Sequence, residues 1–214
     1  LKLEPLPEYE LAVTPVALVV GGGPAGMTAA LALAEQGFTT HLVEKERELG
    51  GMARRLQSSL EGLNVQALLR ELIYKVYRHP LIHVYHQARL IEVSGYVGNF
   101  QTTVESEGRL VTVRHGVVVL ATGAEEYRPR EYLYGQDERV MTQLELETEL
   151  AAGSEKLRRA SSLVMIQCVG SRTPERNYCS RICCRQAVKN ALRLKELNPG
   201  LRVFILYRDM RTYG

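Results

Sequence analysis

Val16-Ala17-Leu18-Val19-Val20, followed at once by Gly21-Gly22-Gly23-Pro24-Ala25-Gly26, decides the fold of this chain. The five apolar residues suit a strand buried on both faces of a parallel sheet. The glycines supply a tight turn, and the alanine-rich stretch behind them reads as a helix from about Ala25 to Gln36, ended by Gly37. Thr39 to Val43 reads as the next strand. Strand, glycine turn, helix and strand, in that order, are the context in which this glycine spacing is a dinucleotide fingerprint. Gly21 permits the turn, Gly23 lets a pyrophosphate approach bare backbone, and Gly26 lets the helix pack close to the strand. Pro24 and Ala25 stand at the helix start, whose N–H groups and positive dipole end favour phosphate. Glu44 closes the second strand 23 positions after Gly21. A carboxylate there accepts hydrogen bonds from an adenosine ribose, and its charge disfavours a 2′-phosphate.

Bulk properties narrow the rest. At 214 residues the chain has room for one large domain, or one domain and part of another. A composition 45% hydrophobic and 24% charged is ordinary for a globular protein. A net charge of +3 is too small to make nucleic acid or an anionic membrane the main partner. No apolar run approaches the roughly 20 residues that span a bilayer, and no basic start with an apolar core reads as a signal peptide. A cytoplasmic location is the expectation. The chain starts at Leu1 and stops just after an apolar strand, which reads as a piece cut from a longer protein.

Residues 1–14 read as an extended, proline-bearing lead-in. Asn64 can cap a helix running to about His79, with Val65, Leu68, Leu69, Leu72, Ile73 and Val76 on one face and Pro80 as the stop. Short strands follow at Ile82–His86, Arg89–Val93, Asn99–Glu105 and Arg109–Val113, with glycine breaks that suggest hairpins. Gly116 to Leu120 reads as another buried strand, ending in Ala121-Thr122-Gly123. Residues 124–141 read as a polar connection. Thr142 and Glu145 form a capping box for a short helix to about Leu150, and 153–160 reads as a linker. A second strand–loop–helix–strand unit then begins, with strands at Ser162–Ile166 and Leu201–Tyr207 and a helix over Ser180–Leu197. Its turn, Cys168-Val169-Gly170-Ser171-Arg172, has one glycine where a fingerprint has three, so tight NAD(P)H binding there is not expected. This gives a first domain at 1–160, with a small β excursion at about 97–115, and a shortened second half at 161–214.

All four cysteines lie in that second half, at Cys168, Cys179, Cys183 and Cys184. Convergent thiolates suit an inorganic centre. Cys179 and Cys183 share a face if the helix has already begun there. A helix N-terminus favours thiolates, and Arg172, Arg181 and Arg185 add positive charge. The spacing is neither a ferredoxin run nor a zinc-finger pair, so an iron–sulfur cluster, structural zinc and free or disulfide thiols all stay open. The five histidines, His41, His79, His83, His86 and His115, are scattered and read as ordinary surface or satisfied residues. No side chain demands a general acid or base role.

Several stretches carry a resemblance. Glu44-Lys45 with Leu49-Gly50-Gly51-Met52, and Ala121-Thr122-Gly123 after an apolar strand, are similar to the second contact loop and the small-residue motif of two-dinucleotide-binding-domain flavoproteins, which favours FAD over NAD. Together with Val93-Ser94-Gly95-Tyr96-Val97-Gly98-Asn99-Phe100, Thr142-Gln143-Leu144-Glu145, Gln167-Cys168-Val169-Gly170-Ser171-Arg172 and above all Tyr178-Cys179-Ser180-Arg181-Ile182-Cys183-Cys184, the whole chain resembles the A subunit of heterodisulfide reductases. The resemblance implies FAD on the glycine fingerprint and a [4Fe–4S] cluster on Cys168, Cys179, Cys183 and Cys184. It implies electron transfer between the flavin and partner iron–sulfur subunits, in some members by flavin-based bifurcation. The fold it implies is α/β: a Rossmann-like FAD-binding domain, a small β-meander and the start of a second Rossmann-like half. The chain departs from the family in having no further ferredoxin-like cysteine runs and no cysteine in 53–64. A flavin-dependent NAD(P)H oxidoreductase with a redox-active thiol pair and a zinc-stabilised nucleotide-binding scaffold are the alternatives, and a homodimer is left open.

Overall fold

The computed structural model describes residues 10–212. The first nine residues of the expected lead-in lie outside the described residues, as do Tyr213 and Gly214. In chain order the elements are β1 (Val16–Val20), α1 (Pro24–Glu35), β2 (Thr39–Val43), a 3-10 turn (Gly51–Arg55), α2 (Val65–Arg78) and β3 (Ile82–Tyr85). Then come β4 (Ala88–Tyr96), β5 (Asn99–Ser106), β6 (Arg109–His115), β7 (Val117–Leu120), α3 (Gln143–Ala151) and α4 (Glu155–Arg159). The last are β8 (Ser162–Ile166), α5 (Cys183–Leu197) and β9 (Arg202–Leu206).

By their contacts the residues group into two compact units, residues 10–51 with Leu69–Gly123, and Met52–Leu68 with residues 124–212. In the first unit a parallel four-stranded sheet has the order β3-β2-β1-β7. Leu18 and Val43 face a three-stranded antiparallel sheet, β4-β5-β6, and share a core with its Ala88, Val104 and Val113. Alternate residues Ala17, Val19 and Leu42 point the other way and are buried. Helix α1 packs on β1 and β2 with Met27, Ala30, Leu31 and Ala34 inside. At about 25 cal/mol per Å² of apolar surface, burial of this kind is the main force holding a layered α/β unit together.

The second unit pairs β8 and β9 in parallel, with Ser162 opposite Arg202 and Ile166 opposite Leu206. Its core is Leu146 from α3, Leu157 from α4, Met165 from β8, Ala187 and Leu194 from α5, and Leu201. Helix α3 begins with the expected capping box: Thr142 Oγ1 accepts from the Glu145 N–H at 3.2 Å, and the Glu145 carboxylate accepts from the Thr142 N–H at 2.7 Å. Asn64 also caps as expected, its Oδ1 accepting from the Ala67 N–H at 2.9 Å.

Four expectations need correcting. Ile82–Tyr85 is no hairpin arm but runs parallel to β2, with Thr40 opposite Ile82, because α2 carries the chain back to the start of the sheet. Residues 153–160 are no bare linker: α4 forms there, burying Leu157, and Asn198 Nδ2 donates to the Arg158 and Ala160 carbonyls at 3.0 and 2.9 Å. Helix α5 starts at Cys183, not Ser180, because Arg181 sits in the left-handed region at φ 60°, where no right-handed helix can run. The division expected at residue 160 assigns α3 and α4 to the first domain, whereas their apolar side chains pack with α5.

Candidate functional site

Three segments of the first unit meet at the carboxyl ends of β1, β2 and β7. The Gly21 N–H donates to the Val43 carbonyl at 2.8 Å, and the Ala121 N–H to the Val20 carbonyl at 2.8 Å. Gly21 has φ 109°, and a Cβ there would lie 2.2 Å from the Ala121 carbonyl oxygen. A Cβ on Gly26 would lie 1.8 Å from the Gly21 carbonyl oxygen. Both glycines are therefore demanded by the protein's own backbone. Gly23 is different: nothing lies within 4 Å of a Cβ placed there. Behind it α1 starts with Pro24 in its first turn, no side-chain cap, and Pro24 and Ala25 exposed. A helix start without a side-chain cap, beside open space, is the kind of place where an anion can bind.

The loop after β2 and the end of β7 border the same place. Gly50 donates its N–H to the Gly22 carbonyl at 2.8 Å, and a Cβ on Gly51, whose φ is 49°, would lie 3.3 Å from the Gly23 Cα. Met52, the next residue in the chain, is partly exposed in the 3-10 turn. Gly123, at φ 68°, and Thr122 follow the end of β7, with Gly123 exposed. Lys45 is exposed beside Glu44. Glu44 is buried, and its carboxylate is already engaged: Oε2 accepts from the Gly22 N–H at 2.7 Å and Oε1 from the Glu46 N–H at 2.8 Å. Each oxygen keeps a second lone pair for a ribose hydroxyl. Gly22, which the fingerprint leaves free, is also crowded, though by side chains rather than backbone: a Cβ there would meet Leu49 at 2.5 Å and the Glu44 carboxylate at 2.8 Å. Its signal was its place in the middle of three consecutive glycines.

The cysteine loop belongs to the second unit. None of the four cysteines is in a disulfide. Burial pushes the Cys184 thiol up, the nearby Cys183 and Cys168 add to the effect, and a backbone contact from Arg211 opposes it. Cys168 and Cys183 are thus neighbours of Cys184. Cys179 lies before the helix, and its sulfur accepts the Arg181 N–H at 3.3 Å. It does not share a helical face with Cys183. Among the described residues no group of three His, Cys, Asp or Glu side chains is gathered as a metal ion requires. The loop is strained: Cys168, Arg172 and Arg181 have φ of 63°, 58° and 60°. Left-handed non-glycine residues cost of order 1 kcal/mol or more each and concentrate at functional sites.

Two features of the second unit were not legible beforehand. The Tyr127 ring lies against Gly170, where a Cβ would come within 2.2 Å of it, and Arg176 stacks over the same ring at 4.9 Å. Deeper, Lys189 and Glu147 form a buried ion pair at 2.6 Å, with side chains 8% and 4% exposed. Lys189 also donates to the Ser58 carbonyl at 2.9 Å, and Glu147 accepts from the Gln57 N–H at 2.8 Å. That network ties residues 57–58 to α3 and α5.

The model of a family described as FAD dependent oxidoreductase matches residues 17–128, just over half of the chain. Among curated proteins, an iron-sulfur A subunit of the CoB–CoM heterodisulfide reductase of Methanopyrus kandleri is 28% identical across 100% of this chain and 46% of its own length. The corresponding A subunit of the H(2):CoB-CoM heterodisulfide,ferredoxin reductase of Methanothermobacter marburgensis is 28% identical across 99% of the chain and 46% of its own. The chain thus spans under half of these relatives. The first alignment runs over 313 residues against a chain of 214, so the relative holds residues within the match that have no counterpart here. Among solved structures, thioredoxin reductase from Lactococcus lactis aligns with a TM-score of 0.58 at 17% identity, over 92% of this chain and 58% of that one. L-proline dehydrogenase from P. horikoshii aligns at 0.56 and 21%, over 97% and 38%. These likenesses establish an α/β fold of the FAD-binding Rossmann type.

Proposed function

The chain belongs to the FAD dependent oxidoreductase family, and from that footing we propose that it is an electron-transfer module resembling the A subunit of heterodisulfide reductases. FAD would lie with its pyrophosphate at Gly23 and the start of α1, between Gly21, Gly26 and the Gly50-Gly51-Met52 loop. Glu44, with Lys45 beside it, would hold the adenosine ribose, and Ala121-Thr122-Gly123 would border the cofactor at the end of β7. The observation that carries this reading is the open approach at Gly23 beside an uncapped helix start. When bound, FAD supplies the exchange between two-electron and one-electron chemistry. The chain's own residues place and orient it.

The four cysteines would hold a [4Fe–4S] cluster. The donor set supports this: four thiols, none in a disulfide, on a loop strained at three non-glycine positions. Their ligation requires the 168–182 loop to close on the cluster, bringing Cys179 in from its bond to the Arg181 N–H. Cysteine ligands must lose their protons, so the raised Cys184 thiol makes cluster assembly proton-releasing. Electrons would pass on to partner iron–sulfur subunits, in the reducing cytoplasm where free thiols persist. Among the described residues no helix is long and apolar enough to cross a membrane.

Anaerobic reconstitution with FAD, iron and sulfide tests both halves of the reading. Flavin absorption with a broad brown shoulder and about four irons per chain is expected, with less iron when any one cysteine becomes serine. Stoichiometric zinc without iron uptake would leave a flavoprotein with a structural metal.

A further inference from the structure

Among the described residues three buried side-chain polar atoms have no hydrogen-bond partner: His86 Nδ1, Asn190 Oδ1 and Gln167 Nε2. Two of them have ordinary settings. The His86 ring is held through its other nitrogen by the Tyr77 hydroxyl at 2.8 Å, and Asn190 borders a cavity of about 360 Å³, room enough for water. Gln167 is different. It is 8% exposed and lines neither that cavity nor the one beside Tyr134 and Lys156. A buried amide N–H without an acceptor costs free energy, and native proteins rarely leave one so.

The strand sets where Gln167 stands. Its N–H donates to the Leu206 carbonyl at 2.9 Å, so the extended backbone of β8 continues through it. Side chains two apart on a strand share a face. That puts Gln167 on the face of Met165, which shares a core with Ala187 and Leu194 of α5. Strands β8 and β9 are parallel, so α5, which joins them, runs antiparallel to both. One step beyond Met165 along β8 is Gln167. One turn before Ala187 along α5 is Cys184, buried at 3% exposure. Both residues therefore stand at the same end of the same interior. Cys168 follows Gln167 directly, and Cys168 and Cys183 are the neighbours of Cys184.

We propose that the Gln167 side-chain amide is a hydrogen-bond donor to the [4Fe–4S] cluster and raises its reduction potential. That role rests on the reading of Cys168, Cys179, Cys183 and Cys184 as the cluster's ligands. The chemistry matches in sign. Thiolate and sulfide sulfurs accept hydrogen bonds, and the unpartnered atom of Gln167 is a donor. Reduction adds negative charge to those sulfurs, so a donor holds the reduced state more strongly than the oxidised one. The amide gives up no other bond to do this, since its Nε2 has none. It also brings no charge of its own into the interior, where an unpaired cation would be far more costly.

The test compares the wild-type chain with Gln167→Met, an apolar side chain of similar length, and Gln167→Leu, a second apolar shape. The first measurement is thermal unfolding without iron. Gln167→Met should melt no lower than wild type, because it removes a polar group that has no partner. A clearly lower melting temperature would show that the amide serves the fold, through a buried water, and would overturn the proposal. The second measurement is a redox titration of the anaerobically reconstituted, FAD-loaded chain, followed by the electron paramagnetic resonance of the reduced cluster. Both variants should take up as much iron as wild type. At any set potential their ratio of reduced to oxidised cluster should be about tenfold lower, a midpoint lower by about 59 mV for one electron. The flavin midpoint should not move. Iron lost from both variants, or a flavin midpoint that shifts as far as that of the cluster, would overturn the proposal by making Gln167 a general support of the site. An iron-loaded Gln167→Met chain with the wild-type cluster midpoint overturns the role of Gln167 alone. Wild-type protein that takes up only zinc overturns the cluster reading, and the role of Gln167 with it.

Discussion

The Gly22 N–H donates to the Glu44 carboxylate at 2.7 Å, and the second carboxylate oxygen accepts the Glu46 N–H. The acid at the end of β2 is therefore first a structural group: it locks the glycine turn to the second strand. Whatever it offers a ribose comes from lone pairs left over, already aimed by those two bonds. Glu44→Gln keeps the shape but leaves one of the two N–H groups facing a donor. A loss of about 1–3 kcal/mol in stability is expected, with weaker FAD retention, both read from thermal unfolding with and without FAD. An unchanged melting temperature in the FAD-free protein would show that the pair holds nothing.

Gly23 and Gly26 should fail in different ways. Gly23→Val adds a side chain to open space. The chain should fold with unchanged circular dichroism, and FAD affinity should drop by at least about tenfold, or ~1.4 kcal/mol. Gly26→Val drives a side chain into the Gly21 carbonyl, so it should lose the fold together with the flavin. Full yellow colour in a folded Gly23→Val protein would remove the pyrophosphate from that site.

Lys189→Met leaves the Glu147 carboxylate buried without its cation. Breaking a buried pair from one side typically costs about 3–5 kcal/mol, while replacing both partners by apolar groups costs far less. Lys189→Met with Glu147→Leu should accordingly unfold later in denaturant than Lys189→Met alone. Additive losses in the double variant would mean the two side chains do not depend on one another.

Gly170→Ala places a methyl group in the Tyr127 ring, at a φ of 70° that already disfavours alanine. The turn after Cys168 should loosen, and iron uptake on reconstitution should fall while FAD binding stays. Adding Tyr127→Ala relieves the clash but not the backbone strain, so partial recovery of iron is expected. No recovery at all would place the whole effect in the backbone.

His41 should contribute to the acid sensitivity of the first unit. Burial chiefly, with His83 and His115 nearby, holds it at about 4 against an ordinary 6.5. Its ring stacks on His83 at 5.1 Å, and Nδ1 meets the Tyr85 hydroxyl at 2.9 Å. Between these pH values the unfolded chain takes up a proton that the folded chain refuses. Stability from this site is therefore complete above about 6.5 and lost progressively down to about 4. Melting temperature followed from pH 7.5 to 4.5 should decline, and His41→Gln should flatten that decline.

The sequence by itself determined the local architecture. Strands β1, β2 and β8 end where hydrophobic runs and glycines put them, the Thr142–Glu145 box and the Asn64 cap form as their side chains dictate, and the glycine spacing already named a dinucleotide turn. These features rest on backbone and side-chain rules that act within a few residues. Only the tertiary structure gave those glycines their surroundings: Gly21 and Gly26 are crowded by their own chain while Gly23 faces open space. It alone set β3 parallel to β2, moved Cys179 off the helix, laid Tyr127 on Gly170 and buried Lys189 against Glu147. In β3, the Tyr127 contact and the Lys189 pair, the partners are 40 or more residues apart in the chain. At Cys179, a single left-handed residue settled the outcome. No periodicity encodes a meeting at that range, which follows from how the finished elements pack.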